Sequence, residues 1–324
     1  MQLGFVPEGV AHVSVVHDGP PAQVIFLLLP RFSLLAFSSA IEVLRIANQL
    51  ASRPLFAWRV VSTDGQPVAS SAGLVVQADA PMGDVPAGAM AFACAGVRPE
   101  LSASAAAADW LRRAYRQGEV VGGLCSGAYA LARAGLLAGR RFTLHWENIA
   151  PFAASHPRLT PCEQLYCMDG RIWTCAGGSA AADLFTAMLR RRHGDRLADT
   201  VLSMSLHGHQ RQGDQRQRRV LPQGIDRNSR LGAMLREMDD DMAGLTEVGD
   251  LAERYGMSRR QMERLFRQHL GQTPHGHLTA LRVERARALI QETDLSRAEI
   301  AGLCGFSDSR QMMRHLGRVD GAAG

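Results

Sequence analysis

The chain has 324 residues, a net charge of +5, 46% hydrophobic residues and 21% charged residues. These values are typical of a globular protein long enough for two domains, and they exclude a disordered or fibrous chain. All 36 basic residues are arginine, and the six cysteines follow no signal peptide and lack the close pairs of a zinc site. We therefore expect a protein of the reducing cytoplasm with free thiols and no bound metal.

Apolar runs alternate with helical patterns over residues 23–206, after a loose arm predicted for residues 1–22. The run at 24–29 is too short to cross a membrane and is typical of a strand buried on both faces, so no membrane association is expected. The alternation predicts a flavodoxin-like α/β domain, in which helices cover both faces of a parallel sheet. The predicted strands cover 24–29, 56–62 and 89–94, and the predicted helices cover 33–50, 103–117 and 180–192.

A cysteine follows the next predicted strand directly. The chain reads VVGGLCSGAYALARAGLL from Val120 to Leu137, so a strand ends at Cys125 and an Ala/Leu-rich helix begins at once. Gly123 and Gly127 relieve crowding on either side. This is the arrangement of a nucleophile elbow, in which the thiol faces a positive helix N-terminus that lowers its pKa. A buried structural cysteine at a tight turn is equally consistent with the spacing.

A histidine is predicted to lie near this cysteine. His145 comes 20 residues after Cys125, at the end of the following predicted strand, so both side chains are expected to face one crevice at the carboxyl edge of the sheet. A histidine next to a tryptophan is also common as a packing residue. A metal site at Cys162, Cys167 and Cys175 is not expected, because zinc ligands come as closer pairs.

The runs GGLCSGAYALARAGLLAGRRFTLHWENI and RIWTCAGGSAAADLF resemble the ThiJ/PfpI superfamily of glutamine-amidotransferase-like domains. The resemblance covers about residues 24–192. Enzymes of that superfamily hold the reactive cysteine with a Glu on the first helix, a position that falls near Ala36 here, while Glu42 lies further along. The resemblance therefore implies ligand binding without turnover or cofactor. The implied pocket residues are Cys125, Ser126, His145, Trp146 and Phe32.

Residues 207–228 are polar, contain Pro222 and several arginines, and are predicted to be a linker. Residues 229–324 form the second predicted domain, which is all-α. From Arg254 to Arg318 the chain has twelve arginines and six acidic residues. The net positive charge therefore lies where a nucleic acid backbone would be met.

Two short helices are predicted to meet at a tight turn in this domain. A helical pattern from Leu245 ends at Gly256, and Ser258 with Gln261 forms a capping box that starts a second helix. An apolar stripe leaves arginine and glutamine on the opposite face, as in a recognition helix in the DNA major groove. A solvated basic helix face is the alternative. The predicted DNA-binding residues of this helix are Arg260, Gln261, Arg264, Arg267 and Gln268.

The two-helix unit is predicted to repeat. Pro274 starts a long helix, Ser296 and Glu299 form another capping box, and Ser307 opens a helix with three more candidate DNA contacts. The triplet RQM occurs at the same place in both units. The candidates in the second unit are Arg310, Gln311 and Arg314.

The runs SRRQMERLFRQHLGQTP and LRVERARALIQETDLSRAEIAGLCGFS resemble the AraC/XylS family of bacterial transcription regulators. The resemblance implies two helix-turn-helix modules joined by one long helix. Together with the first domain, it points to the GlxA group, in which a ThiJ/PfpI-like domain precedes the DNA-binding modules. The family pattern fades after Asp308, so a shortened second module is expected.

These features predict a cytoplasmic, nucleoid-associated transcription regulator with promoter DNA, RNA polymerase and a second copy of the chain as partners. Similar regulators answer to small nitrogen compounds such as arginine, glycine betaine or carnitine. Phe32 and Trp146 could meet a quaternary ammonium group by cation-π contact. The alternative is a hydrolase or amidase that uses Cys125 as its nucleophile.

Overall fold

The computed structural model describes residues 5–207, 210–215, 217, 229–245 and 248–320. The chain divides into two compact units, residues 1–217 and 218–324. In the first unit the strands are β1 (Ala22–Leu28), β2 (Phe56–Ser62), β3 (Val68–Ala69), β4 (Val75–Val76), β5 (Ala80–Pro81), β6 (Met90–Cys94), β7 (Val120–Leu124), β8 (Tyr166–Asp169) and β9 (Ile172–Cys175). Its helices are α1 (Leu34–Ala51), α2 (Pro99–Ser102), α3 (Ala105–Gln117), α4 (Ala128–Arg133), α5 (Ile149–Ser155), α6 (Ala180–His193) and α7 (Asp195–Met204).

A seven-stranded sheet in the order β5-β2-β1-β6-β7-β9-β8 forms the centre of the first unit. All neighbours are parallel except β8, which runs antiparallel to β9 at one edge. Phe26 on β1 faces a core that includes residues of α1, α6 and α7, whereas Leu27 faces a core that includes α3 and α4. Because successive side chains of a strand point to opposite faces, an apolar run can bury both. The predicted α/β fold with helices on both faces is confirmed.

Helix α1 is long and apolar enough to cross a membrane by length and composition alone. Most of it is buried within the unit, where it packs against α6 and α7, as expected of a core helix. Its N-cap Ser33 accepts a hydrogen bond from the Ala36 amide. Near its end, the buried Asn48 side chain bonds the backbone of Leu55 and Phe56 and so positions the start of β2.

Two segments predicted to be loose contact the first unit. In the arm, Val13 is buried, and its amide donates to the Leu50 carbonyl at the end of α1. In the predicted linker, the described residues 210–215 and Gln217 bond residues of α6 and the loop before β8. The remaining predicted linker residues, 208–209, 216 and 218–228, lie outside the described residues.

The strand predicted to end at His145 is not present. Between α4 and α5 the chain makes only an isolated bridge from Thr143 to Cys162, and His145 precedes a 3-10 turn at Trp146–Asn148. The Thr143 amide donates to the Thr174 hydroxyl, and its own hydroxyl bonds the carbonyls of Cys162 and Gln164. These side-chain bonds position the segment without a strand ladder.

Every regular element among the described residues of the second unit is a helix. Its helices are α8 (Arg230–Asp240), α9 (Val248–Arg254), α10 (Arg259–Leu270), α11 (Pro274–Glu292), α12 (Arg297–Leu303) and α13 (Ser309–Asp320). A core from α8 to α11 includes the fully buried Phe266. The predicted capping boxes of α10 and α12 are both present. The two helix pairs α9–α10 and α12–α13, joined by α11, confirm the predicted pair of helix-turn-helix modules.

Candidate functional site

Cys125 occupies a strained turn between β7 and α4. Its φ is 59°, a left-handed conformation that is uncommon for a residue with a side chain. Neighbouring glycines make room for it: a Cβ on Gly177 would lie 2.6 Å from the Cβ of Cys125, and one on Gly127 would lie 2.2 Å from the Ala93 carbonyl oxygen. The predicted elbow geometry is therefore present.

Of the two interpretations of this turn, the structure favours the buried structural cysteine. Cys125 is only 8% exposed, and burial raises its pKa to about 11, although hydrogen bonds from Ser126 and Ser33 oppose the shift. A thiolate in a site with little water loses hydration that the short helix α4 does not replace. At neutral pH the Cys125 side chain is therefore a neutral thiol, which is a poor nucleophile.

His145 and Trp146 lie beside the cysteine turn. The His145 amide bonds the Cys125 carbonyl at 3.3 Å, and the His145 Nδ1 lies 3.7 Å from a carboxylate oxygen of Glu147. Burial lowers the pKa of His145 despite this carboxylate, so the ring is mainly neutral at pH 7. Among the described residues no hydrogen bond joins the imidazole to the Cys125 thiol. The Trp146 side chain is at the surface, with the residue 43% exposed.

Two other predicted pocket residues are enclosed. Phe32 is fully buried, and its ring packs at right angles to Phe37 with the centroids 5.5 Å apart. Ser126 is also fully buried, and its hydroxyl donates to the Gly96 carbonyl at 2.6 Å. Neither offers an open surface to a ligand in this conformation. Of the five predicted pocket residues, only His145 and Trp146 are not buried.

Sequence reasoning missed Gln217, the last residue of the first unit, whose side chain contacts the backbone beside His145. Gln217 is only 8% exposed, and its side-chain oxygen accepts from the Trp146 amide at 2.7 Å. Its side-chain nitrogen donates to the Thr143 hydroxyl and to the carbonyls of Leu144 and Gln164. No sequence signal distinguished Gln217 from the polar residues around it, because its partners come from distant parts of the chain. We refer to residues 210–215 and 217 as the strap.

The other end of the strap is held by charge. Asp183 on α6 is fully buried, and its carboxylate accepts two bonds from the Arg211 guanidinium, at 2.6 and 2.9 Å. The Arg211 amide and the His207 ring also contact this carboxylate. A buried carboxylate requires such partners, because an unpaired charge away from water is strongly destabilising.

The outer face of α10 carries the predicted DNA contacts. Met262 and Phe266 are buried, and the five predicted residues are exposed. Within the described chain, no ion pair or hydrogen bond engages the guanidinium groups of Arg260, Arg264 or Arg267. These groups are available to a ligand, and with neighbouring residues they line an open groove of about 770 Å³. The groove is lined by Ser258, Arg260, Gln261, Glu263, Arg264, Arg267 and Gln268.

Helix α13 repeats this face 50 positions later. Met312 is buried as Met262 is, and Arg310 and Arg314 are exposed at the positions of Arg260 and Arg264. The helix has 12 residues, the same length as α10, so the described part of the second module has a full recognition helix. The chain after residue 320 lies outside the described residues.

The glutamines Gln261 and Gln311 have a structural role at the helix starts. The Gln261 side-chain oxygen accepts from the Ser258 amide at 2.8 Å. The Gln311 side-chain oxygen accepts from the Ser307 amide at 2.9 Å, while the Gln311 amide donates to Asp308. The oxygen of each side chain is thus engaged at the helix start, and its NH2 group remains available to donate to a base.

The arginines of α11 differ from those of the recognition helices. The Arg282 guanidinium donates to the carbonyls of Met242 and Leu245, and burial lowers its pKa. This side chain therefore closes the turn after α8 and joins it to α11. In the part of the chain that the structure describes, no group of three or more His, Cys, Asp or Glu side chains is placed to hold a metal ion.

Comparison with known proteins finds a matching family for the first unit and a matching domain for the second. Residues 22–191 match the DJ-1/PfpI family, and residues 251–323 match a helix-turn-helix domain. The HTH-type transcriptional regulator CdhR of Pseudomonas aeruginosa is 39% identical over 291 residues, which cover 89% of this chain and 86% of that protein. GlxA of Rhizobium meliloti, also an HTH-type transcriptional regulator, is 36% identical over 284 residues, or 87% of this chain and 88% of that protein.

A solved structure supports the same relationship for the first unit. An AraC family transcriptional regulator from Pseudomonas putida superposes with a TM-score of 0.50 and 28% identity, covering 57% of this chain and 100% of that chain. The helix-turn-helix match continues to residue 323. From the sequence, we expected the resemblance to the AraC/XylS family to fade after Asp308. The matched range includes α13, and the shortened second module stays a prediction.

Proposed function

Since the chain belongs to the AraC-type helix-turn-helix transcriptional regulators with an N-terminal DJ-1/PfpI domain, we propose that α10 and α13 contact promoter DNA and that a small effector held at His145 and Trp146 controls this contact. The observation that carries the DNA assignment is the face of exposed arginines that recurs on α10 and α13. Guanidinium groups bond guanine edges and phosphates in the major groove. A regulator of this kind works in the cytoplasm, and we place it on the nucleoid.

Replacing Arg260 and Arg264 by Ala tests the DNA contact. The double variant should bind a promoter fragment selected by the wild-type chain at least tenfold more weakly, since a lost base contact costs about 1–3 kcal/mol. The slope of log affinity against log salt should fall by about 1 for each phosphate contact removed. Affinity is measured by fluorescence anisotropy over a salt series.

Arg230→Ala is the matched control, because Arg230 is an exposed arginine at the start of α8. It should leave both affinity and salt slope near the wild-type values. Equal weakening by the control and by the double variant would remove the assignment of α10 as the recognition helix.

The effector proposal rests on the exposed Trp146 ring beside a mainly neutral His145. An aromatic face attracts an organic cation, so we propose a small nitrogen compound such as arginine, glycine betaine or carnitine. Phe32 has no part in this contact, because its ring is buried. A homodimer and contact with RNA polymerase complete the proposal, supported by the resemblance to AraC-type regulators.

Trp146→Ala should weaken binding of the active compound about fivefold, as expected when about 1 kcal/mol of cation-π attraction is lost. Trp146→Phe keeps an aromatic face and should retain most of the affinity. Isothermal titration calorimetry with each of the three compounds measures both effects. A compound that binds the Ala variant as tightly as the wild type does not use this ring.

The strap supports a route from the effector to the DNA-binding unit. Gln217 is the last residue of the first unit and bonds the Trp146 amide directly. The strap has one conformation with this bond and one without it. An effector that binds one of these conformations more tightly than the other shifts the equilibrium between them.

Catalysis by Cys125 is not part of the proposal. CdhR and GlxA are transcriptional regulators. The neutral Cys125 thiol also lacks a carboxylate partner: among the described residues no carboxylate bonds its sulfur, and Glu147 contacts His145 instead. A hydrolase would need a base that takes the thiol proton. Cys125→Ser should therefore leave DNA binding unchanged.

A further inference from the structure

We propose that Cys162 and Cys167 form an oxidisable dithiol that joins into a disulfide on exposure to a peroxide, and that the bond acts on the strap. Cys162 lies in the loop before β8 and Cys167 lies on β8, and residues between them contact the strap. Neither belongs to the crevice at Cys125. The disulfide chemistry stands independently, whereas its effect on DNA binding rests on the proposed function.

The two sulfur atoms are already in contact. Their separation is 3.2 Å, and the Gln164 side-chain oxygen lies 3.5 Å from each of them. Cys162 also bonds the Phe142 carbonyl at 3.2 Å, which keeps its sulfur turned toward Cys167. A disulfide requires an approach to about 2 Å, which is a small side-chain movement.

The two thiols differ in exposure and in pKa, as a reacting thiol and a resolving thiol must. Cys162 is half-buried and Cys167 is buried. The hydrogen bond from Cys167 lowers the pKa of Cys162 to about 6, aided by the Arg141 charge and opposed by burial. The same bond and burial raise the pKa of Cys167. Cys162 is thus the more acidic and the more accessible of the two thiols, so it reacts first once it is deprotonated, and Cys167 is the resolving thiol.

The reaction balances with a peroxide as the only co-reactant. The Cys162 thiolate attacks one peroxide oxygen, the O–O bond breaks, and the leaving oxygen departs as hydroxide or alkoxide, which takes up a proton. Cys162 is then a sulfenic acid. The Cys167 sulfur attacks the Cys162 sulfur, the S–O bond breaks, and water leaves with the Cys167 proton. The two thiols are oxidised and the peroxide is reduced.

The loop between the two cysteines carries the strap. The Gln217 amide donates to the Glu163 carbonyl at 2.8 Å, and the Gln217 side chain donates to the Gln164 carbonyl at 3.2 Å. The Leu165 amide donates in turn to the Gln215 carbonyl. A disulfide closes the loop, and neither sulfur can then donate a hydrogen bond to the Gln164 side chain. The backbone acceptors under Gln217 therefore shift when the pair is oxidised.

The test treats the reduced full-length chain with hydrogen peroxide and maps its cysteines by mass spectrometry. We expect one disulfide between Cys162 and Cys167, reversed by dithiothreitol, while Cys94 and Cys125 remain thiols. Cys167→Ser should give a sulfenic acid at Cys162 that dimedone traps. Cys162→Ser should leave Cys167 unoxidised. Cys304→Ser, a buried cysteine of the second unit, is the matched control and should still form the bond.

Peroxide that oxidises Cys125 or Cys304 before it links Cys162 to Cys167 overturns the site. DNA affinity of the oxidised chain is then compared with that of the reduced chain, and a severalfold change is expected in the wild type but not in Cys167→Ser. An unchanged affinity of the linked protein removes the action on the strap. If the reduced chain binds no DNA, the proposed function fails, and the disulfide map still decides the site.

Discussion

Cys125 shows how two electrostatic effects compete at a single side chain. A helix N-terminus favours a thiolate, whereas removal from water disfavours it. Here α4 has only six residues and Cys125 is buried, so desolvation dominates. At Cys162, in contrast, a hydrogen bond from a neighbouring thiol outweighs partial burial. The elbow motif therefore predicts the backbone conformation at Cys125, whereas the burial of its sulfur determines the pKa and hence the reactivity of the thiol.

The raised pKa of Cys125 predicts a slow, strongly pH-dependent reaction with iodoacetamide. Since only the thiolate reacts, its rate should rise about tenfold per pH unit from pH 7 upward and level off as pH approaches about 11. Quenched labelling followed by peptide mass spectrometry gives the rate. The same cysteine in urea-unfolded protein serves as the reference and should react faster at pH 7. A folded-state rate that is already level at pH 7 would restore Cys125 as a candidate nucleophile.

At the scale of the helix, α10 and α13 use the same plan. Each helix is preceded by a residue whose side chain caps its first turn. The third residue of each helix is a glutamine, whose side chain accepts a hydrogen bond from a backbone amide just before the helix. Each then places a methionine in the core and two arginines, four residues apart, on the outside. Four residues span just over one helical turn, so the paired arginines lie on one face.

Loss of the α10 cap should weaken both folding and DNA binding. Ser258→Ala removes the acceptor for the Gln261 amide, and a lost N-cap costs about 1 kcal/mol. Arg260 lies in the first turn, so fraying there also displaces a DNA contact. Urea unfolding and DNA titration at one salt concentration measure the two effects.

Ser296→Ala is the matched control, since Ser296 caps α12, which carries none of the predicted DNA contacts. It should reduce stability by a similar amount with a smaller loss of DNA affinity. Two variants with the same loss of DNA affinity would show that the effect is on general stability and not on the recognition face.

At the scale of the whole chain, the first unit ends at Gln217, well inside the segment whose polarity predicted a linker from residue 207. Polar residues are typical of linkers because they are stable in water, but they can also form hydrogen bonds with buried polar groups. Arg211 and Gln217 do so for Asp183 and for the backbone around Trp146. The strap is therefore part of the first unit.

Truncation should show this boundary. A chain of residues 1–217 is expected to unfold cooperatively in urea, whereas a chain of residues 1–206 should be less stable by about 3 kcal/mol or more, because Asp183 then keeps its charge without Arg211. Arg211→Ala in the longer chain should reproduce most of the loss. Arg196→Ala, an exposed arginine on α7, is the control. Equal stability of the two truncated chains would contradict a structural role for the strap.

The sequence by itself determined what depends on local periodicity and short motifs. The buried strands, the elbow at Cys125, the capping boxes and the arginine face of α10 all follow from neighbours a few residues apart, and the structure places them as predicted. Family resemblance extended these elements to a sensing domain followed by two helix-turn-helix modules.

Only the tertiary structure decided which side chains meet across long stretches of chain. Burial sets the pKa of Cys125, encloses Phe32 and Ser126, and brings Gln217 to Trp146 and Cys162 to Cys167. Free energies of desolvation and of distant hydrogen bonds depend on the complete packing around a group, and no local pattern in the sequence encodes that packing.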